Sequence, residues 1–203
     1  LIFFYMKPII EYQDYHTLSG QIKDAYNATA SAIKHPLLIK HRLEVLETIL
    51  QTSTIIENGN GYELHNLLNR INDSQTANNI IDSVKYFNQK YQNNQNCLKH
   101  IGDVVFDTKS DINDKKILLD LISNHDFIAN CNYLGSIRNH NQIILLNKLI
   151  NNEEFPNEYV VDIVKHTFKS DVKLEKETLK LANKLCDDKE FPKQYIADIL
   201  MIA

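Results

Sequence analysis

"NKLINNEEFPNEYVVDIV" (Asn147–Val164) returns, without a gap, as "NKLCDDKEFPKQYIADIL" (Asn183–Leu200). Phe155 falls on Phe191, Pro156 on Pro192, Tyr159 on Tyr195 and Asp162 on Asp198, an offset of 36 residues. In both copies an L-x-x-type apolar stripe runs up to a polar corner, and the corner carries Phe-Pro followed by Tyr. Proline cannot sit in a helix interior but fits a first turn, so "EFPNEY" and "EFPKQY" each read as the end of one helix and the start of the next. The Phe before the proline and the Tyr after it are placed to touch across that corner. The repeated phrase is therefore a helix pair, and a lone pair cannot bury its apolar face unless a neighbour stacks on it.

Looser copies surround the two close ones. "LISNHDF" (Leu121–Phe127) matches "LINNEEF" (Leu149–Phe155) at an offset of 28 residues, which makes Phe127 a third corner. "YLGSIRNH" from Tyr133 shares Tyr, Ile and His with "YVVDIVKH" from Tyr159, and "KSDI" at Lys109 recurs as "KSDV" at Lys169. The eight-residue difference between offsets is about two helical turns. On this pattern residues 97–203 form a helical repeat region, and residues 1–90 form an N-terminal helical segment continuous with it. The polar run "NQKYQNNQN" (Asn88–Asn96) lies between them, as a connector or the polar end of a helix.

The N-terminal half also reads as helix. Leu38, Ile39, Leu43, Leu46, Ile49 and Leu50 recur at gaps of three and four, and Pro36 stands at a first-turn position. "ENGNG" (Glu57–Gly61) is a stop, "YELHNLLNRI" sets Leu64, Leu67, Leu68 and Ile71 in register, "NDSQTANN" reads as a further break, and "IIDSVKYFNQKY" as another helix. Leu18–Ala32 is expected to be helical. The opening "LIFFYMKPII" is too short to span a bilayer, lacks a basic leader, and reads as an element packed on the body. Met6 is a candidate initiator, with the five residues before it extraneous.

The bulk composition narrows the function. Among 203 residues, 43% are hydrophobic and 24% charged, enough for a core; five glycines and four prolines leave few tight turns for an all-β fold. A net charge of -4 without a polybasic block gives no general attraction to nucleic acid or anionic lipid. Cys97, Cys131 and Cys186 lack CxxC spacing and read as small buried residues of a reducing, cytoplasmic compartment, not as a disulfide framework or a zinc site. The same composition also fits a bacterial effector secreted into a host cell. The sequons at Asn27 and Asn72 are expected by chance in so Asn-rich a chain.

These residues resemble the HEAT/armadillo class of α-helical repeats, a class carried by apolar spacing. The resemblance covers the second half of the chain. It implies an all-α fold, a right-handed α-solenoid of antiparallel helix pairs, here or as a fragment of a longer array. It also implies a scaffold or adaptor that binds a protein or peptide in its groove. Lys148, Lys180 and Lys184, on the second helices of successive units, are the candidate partner surface. "YIADILMIA" at the C-terminus reads as the first helix of an unfinished unit, its apolar end (Leu200, Met201, Ile202) suited to further repeats or to self-association.

Catalysis has a weaker signal. His125-Asp126, with His100 upstream and Asp162 downstream, mimics the H…HD…D order of metal-dependent phosphohydrolases, which are also helical. The repeat places this dipeptide over Glu153-Glu154 and Lys189-Glu190, which makes it a polar corner. His140 and His166 are expected to end the tyrosine-started helices, at the negative end of the dipole. His35 and His41 share no helix face. No catalytic, metal or cofactor residues are assigned, and no cofactor is expected. The alternative to a scaffold is a helical enzyme or nucleic-acid-handling HEAT-like protein, of HD-phosphohydrolase or DNA-glycosylase type.

Overall fold

The computed structural model of the chain describes residues 36–51, 61–131, 137, 139–153, 155–166 and 176–202. The readings of the N-terminal stretch, of Leu18–Ala32, of His35, of Asn27, of most of "ENGNG", of the Tyr133 phrase and of "KSDV" lie outside these residues. Every regular element among the described residues is helical: α1 Pro36–Leu50, α2 Gly61–Arg70, α3 Ser74–Tyr91, α4 Gln95–Leu98, a π-helical turn Ile101–Val105, α5 Ile112–Asn124, α6 Asp126–Ala129, α7 His140–Ile150, α8 Asn157–His166, α9 Lys176–Asp187 and α10 Gln194–Ile202. The all-α fold class is thus as expected. Among these residues no helix is long and apolar enough to cross a membrane. The chain forms two compact units, residues 1–112 and 113–203.

In the first unit α1 lies along α3, and α2 closes on α1. The expected register of α2 holds, with Leu64, Leu67, Leu68 and Ile71 all buried. In α1 Ile39, Leu46 and Ile49 are buried as expected, Val45 joins them fully buried, and Leu50 is exposed. Arg42 joins the buried side as well, because its guanidinium reaches two carbonyls at the end of α2, Ile71 O at 3.3 Å and Asn69 O at 3.4 Å. Those oxygens are among the last of a helix and lack intrahelical donors, so the cation supplies a C-cap from another element. Burial pushes the guanidinium down from its ordinary pKa.

The break expected over "NDSQTANN" is shorter than the sequence suggests. Asp73 takes an extended backbone and accepts the Thr76 N–H at 2.7 Å, so α3 is already under way at Ser74. The N–H of Thr76 and then its hydroxyl hold the Asp73 carboxyl below its ordinary pKa. A depressed folded pKa stabilises above the unfolded value of about 3.9, and that stabilisation is lost as pH falls through the lower folded value. Asp73→Asn retains an acceptor without the charge, so its thermal melts are expected to show a weaker acid dependence below pH 4 than those of the parent chain.

Helix α3 carries Ala77, Ile80, Val84, Phe87 and Tyr91 on one buried face and extends to Tyr91, well into the polar run after Asn88. Its end is held by Tyr86 edge-on to Tyr91 at 5.9 Å, with Lys90 Nζ 5.1 Å from the Tyr86 ring centre. Asn94 then caps α4 by accepting the Cys97 N–H. The segment "CLKHIGDVVFD" is α4 followed by the π turn, in which Phe106 N–H reaches Ile101 O across five residues. The wide turn still buries Ile101, Val104 and Val105 together. Asp107 accepts the N–H groups of Lys109 and Ser110, and Ser110 O receives the Asn79 amide at 2.7 Å. On the buried face of α3 the Ser83 hydroxyl has no partner among the described residues. An unpaired buried hydroxyl costs about 1–3 kcal/mol, so Ser83→Ala is expected to leave stability unchanged or raise it, read from the denaturant midpoint.

In the second unit, α7 and α8 carry the first copy of the repeated phrase and α9 and α10 the second. Like helices lie together: α9 packs on α7, and α10 on α8, while α8 closes on α7 and α10 on α9 within each pair. The core here is Ile143, Leu145, Leu146, Leu149, Val160, Ile163, Val164, Leu179, Ala182, Ile196 and Leu200.

Candidate functional site: the repeat corners and the face of α9

The two corners have the same construction. Phe155 N–H bonds Asn152 O at 3.0 Å and Tyr159 N–H bonds Pro156 O at 3.1 Å. Thirty-six residues on, Phe191 N–H bonds Asp188 O at 3.4 Å and Tyr195 N–H bonds Pro192 O at 3.2 Å. The rings meet edge to face in both, Phe155 with Tyr159 at 6.1 Å and 65°, Phe191 with Tyr195 at 6.4 Å and 68°. Phe155 is buried, and both tyrosines keep one side in solvent. In both copies the proline stands just ahead of the next helix, Pro156 one residue before α8 and Pro192 two before α10.

The corners also differ. Lys193, which falls on Asn157 in the first copy, is buried; its ammonium donates to Leu185 O at 3.0 Å and to Asp188 O. A lysine placed so satisfies the last carbonyls of α9 and its negative dipole end. Phe127 is a corner of another kind: it belongs to α6 and rests edge-on against His125 at 5.6 Å.

His125 is accordingly a ring in the corner between α5 and α6, and Asp126 is exposed in the first turn of α6. Among the described residues neither belongs to a group of three side chains able to share a metal ion. His166 ends α8 as expected. His140 does not end a helix: it is the first residue of α7, and its Nδ1 lies 2.7 Å from Asp114 Oδ1. The tyrosine-histidine spacing was a misleading guide here, because Asn139 caps α7 by accepting the Asn141 N–H and so starts a helix at His140. Asp114 is buried near the start of α5, and the exposed imidazole gives that carboxylate a donor. Among the remaining histidines, His41 lies 3.6 Å from Glu44 on its own helix.

None of Cys97, Cys131 and Cys186 is in a disulfide. Burial pushes the Cys97 thiol up to about 12, and burial likewise pushes Cys186 up to about 11 against the opposing pull of Lys148 and Lys193. The thiolate is the nucleophile, so native protein is expected to react with a maleimide at neutral pH far more slowly than unfolded protein at both positions. Peptide-resolved mass spectrometry reads this directly, and fast native labelling of Cys97 would contradict the burial.

An open groove of about 540 Å³ runs along the first unit, lined by Glu44, Glu47 and Asp82 against Lys85. Its excess of carboxylates repels anions and gives phosphate no seat.

The three lysines expected at a partner surface have separate surroundings. Lys148 is committed inside the unit: its ammonium lies 2.7 Å from Asp187 Oδ2 and donates to Asn183 O at 3.3 Å, joining α7 to α9. Lys180 is exposed and pairs with Glu177 at 2.8 Å on its own helix, which holds the Glu177 carboxyl below its ordinary pKa. Lys184 is exposed, with no ion pair or hydrogen bond among the described residues. Three residues before it on the same helix, Leu181 leaves 48% of its surface in solvent. Sequence spacing alone put the three lysines on one footing; it took the α7–α9 contact to separate them.

Compared with protein-family models, curated proteins and solved structures, the chain matches none.

Proposed function

We propose that this chain is a protein-interaction scaffold of the α-solenoid kind, similar to the HEAT/armadillo class, which binds a protein or peptide partner along the surface of its stacked helix pairs. The observation that carries the reading is the like-on-like contact of the two phrase copies, α7 with α9 and α8 with α10. Stacked copies of one supersecondary unit build extended surfaces, and such surfaces serve recognition. A net charge of -4 supports a protein partner over a nucleic acid, whose binding rests on basic contacts to phosphate.

The test uses the whole chain as bait, beside a Lys180→Glu, Lys184→Glu double variant at exposed positions. The expected result is a protein partner retained by the parent chain and lost by the variant, with an unchanged melting temperature in the bait. Tight DNA binding that falls steeply with salt, or metal-dependent phosphatase activity, would replace the scaffold with the enzyme or nucleic-acid reading.

A further inference from the structure

The repeat allows each residue on α7 to be compared with its counterpart on α9, 36 positions later. Leu145 is fully buried, and its counterpart Leu181 is 48% exposed. Leu149 is 1% exposed, and its counterpart Leu185 is only half-buried. Lys148 is engaged by Asp187 and Asn183 O, and its counterpart Lys184 has no partner among the described residues. Lys148 lies three residues from Leu145 and Leu149 four, so each neighbours Leu145 on the surface of α7. The Lys148 contacts show that α9 reaches this surface. On α9 the corresponding residues are of the same types, with Leu181 and Lys184 exposed and Leu185 half-buried among the described residues.

We infer that the Leu181–Lys184–Leu185 face of α9 is a docking site for one helix of a protein partner, seated as α9 seats on α7. This rests on the scaffold reading and names the chemistry of its partner. The helix that fills the earlier slot specifies the occupant: it buries Leu179 and Ala182 on successive turns and places Asp187 on the lysine. The partner helix therefore carries an apolar residue, a small residue three positions on, and a carboxylate five positions beyond that. The small residue lets the helices approach; the carboxylate meets Lys184 and fixes register, since a like charge there is repelled.

Residues 176–190 of this chain have that pattern and serve as the probe. The peptide is made with Cys186→Ser to prevent disulfide formation, lactam-bridged to hold its helix, and labelled for fluorescence anisotropy. Titration with the full chain is expected to saturate below about 1 mM peptide-binding strength, the weak end of measurable affinity. Leu181→Asp in the chain is expected to abolish binding. Lys184→Glu is expected to weaken it about fivefold, and an Asp187→Lys peptide to recover that loss against the Lys184→Glu chain. Both chain positions are exposed, so neither variant is expected to move the melting temperature. Absence of saturable binding, or binding indifferent to Leu181→Asp and Lys184→Glu, overturns the site; indifference would mean that the peptide displaces α9 itself. A partner captured by the whole chain that still binds Leu181→Asp leaves the scaffold reading standing and overturns only this face.

Discussion

Leu145→Ala is expected to lower the unfolding free energy by about 2–5 kcal/mol, whereas Leu181→Ala, at the equivalent position on α9, stays within about 0.5 kcal/mol of the parent chain. Both leucines stand two residues before the Asn-Lys-Leu that opens the repeated phrase, and the difference lies in packing. Leu145 is fully buried on α7, the helix on which α9 packs, so removing its isobutyl group forfeits transfer energy and leaves a cavity. Leu181 is 48% exposed, so truncation returns little surface to water and opens no void. Denaturant midpoints of the two variants measure the contrast, with slopes compared to confirm that the unfolding transition is unchanged. Comparable losses at the two sites would mean that Leu181 is covered in solution.

The second large effect is at the corners. Phe155→Ala is expected to cost about 3–5 kcal/mol, because Phe155 is 4% exposed and also loses its edge contact with Tyr159. Phe191→Ala removes the corresponding contact with Tyr195 from a half-buried position, so its cost is expected to be clearly smaller. The edge-to-face term, worth about 0.5–1.5 kcal/mol, is common to both corners; burial separates them. A double-mutant cycle between Phe155 and Tyr159 isolates the ring contact from the burial. A coupling near zero would show that the corner is held by its backbone bonds, Phe155 to Asn152 and Tyr159 to Pro156, and by burial alone.

These contrasts mark what spacing in the chain reveals and what it hides. The corner was legible because Pro156 and Pro192 restrict the backbone locally, and Phe and Tyr at a fixed interval must then meet. The register of α2 was legible because Leu64, Leu67, Leu68 and Ile71 leave only one apolar flank. The register of α1 was less so: its apolar residues spread over a broad arc, and Arg42 is drawn inward by carbonyls of α2, a tertiary partner that no local pattern announces. His140 was misplaced for a related reason, since its Tyr-to-His spacing copied a helix end while Asn139 supplied an N-cap. The polar corner at His125-Asp126 followed from the repeat, but the ring contact between His125 and Phe127 did not. For the candidate surface, sequence gave the lysines and not their fates. Lys148 and Lys184 occupy one position of one phrase, and only the neighbour on α7 makes them different.

The relation between the two phrase copies is tested most directly by thiol accessibility at their equivalent positions. Leu145→Cys and Leu181→Cys are made separately and labelled in the native state, with peptide-resolved mass spectrometry separating them from Cys97, Cys131 and Cys186. The expected result is rapid labelling at 181 and protection at 145 that is lost only on unfolding. Rapid native labelling at 145 would contradict the stacking of α9 on α7.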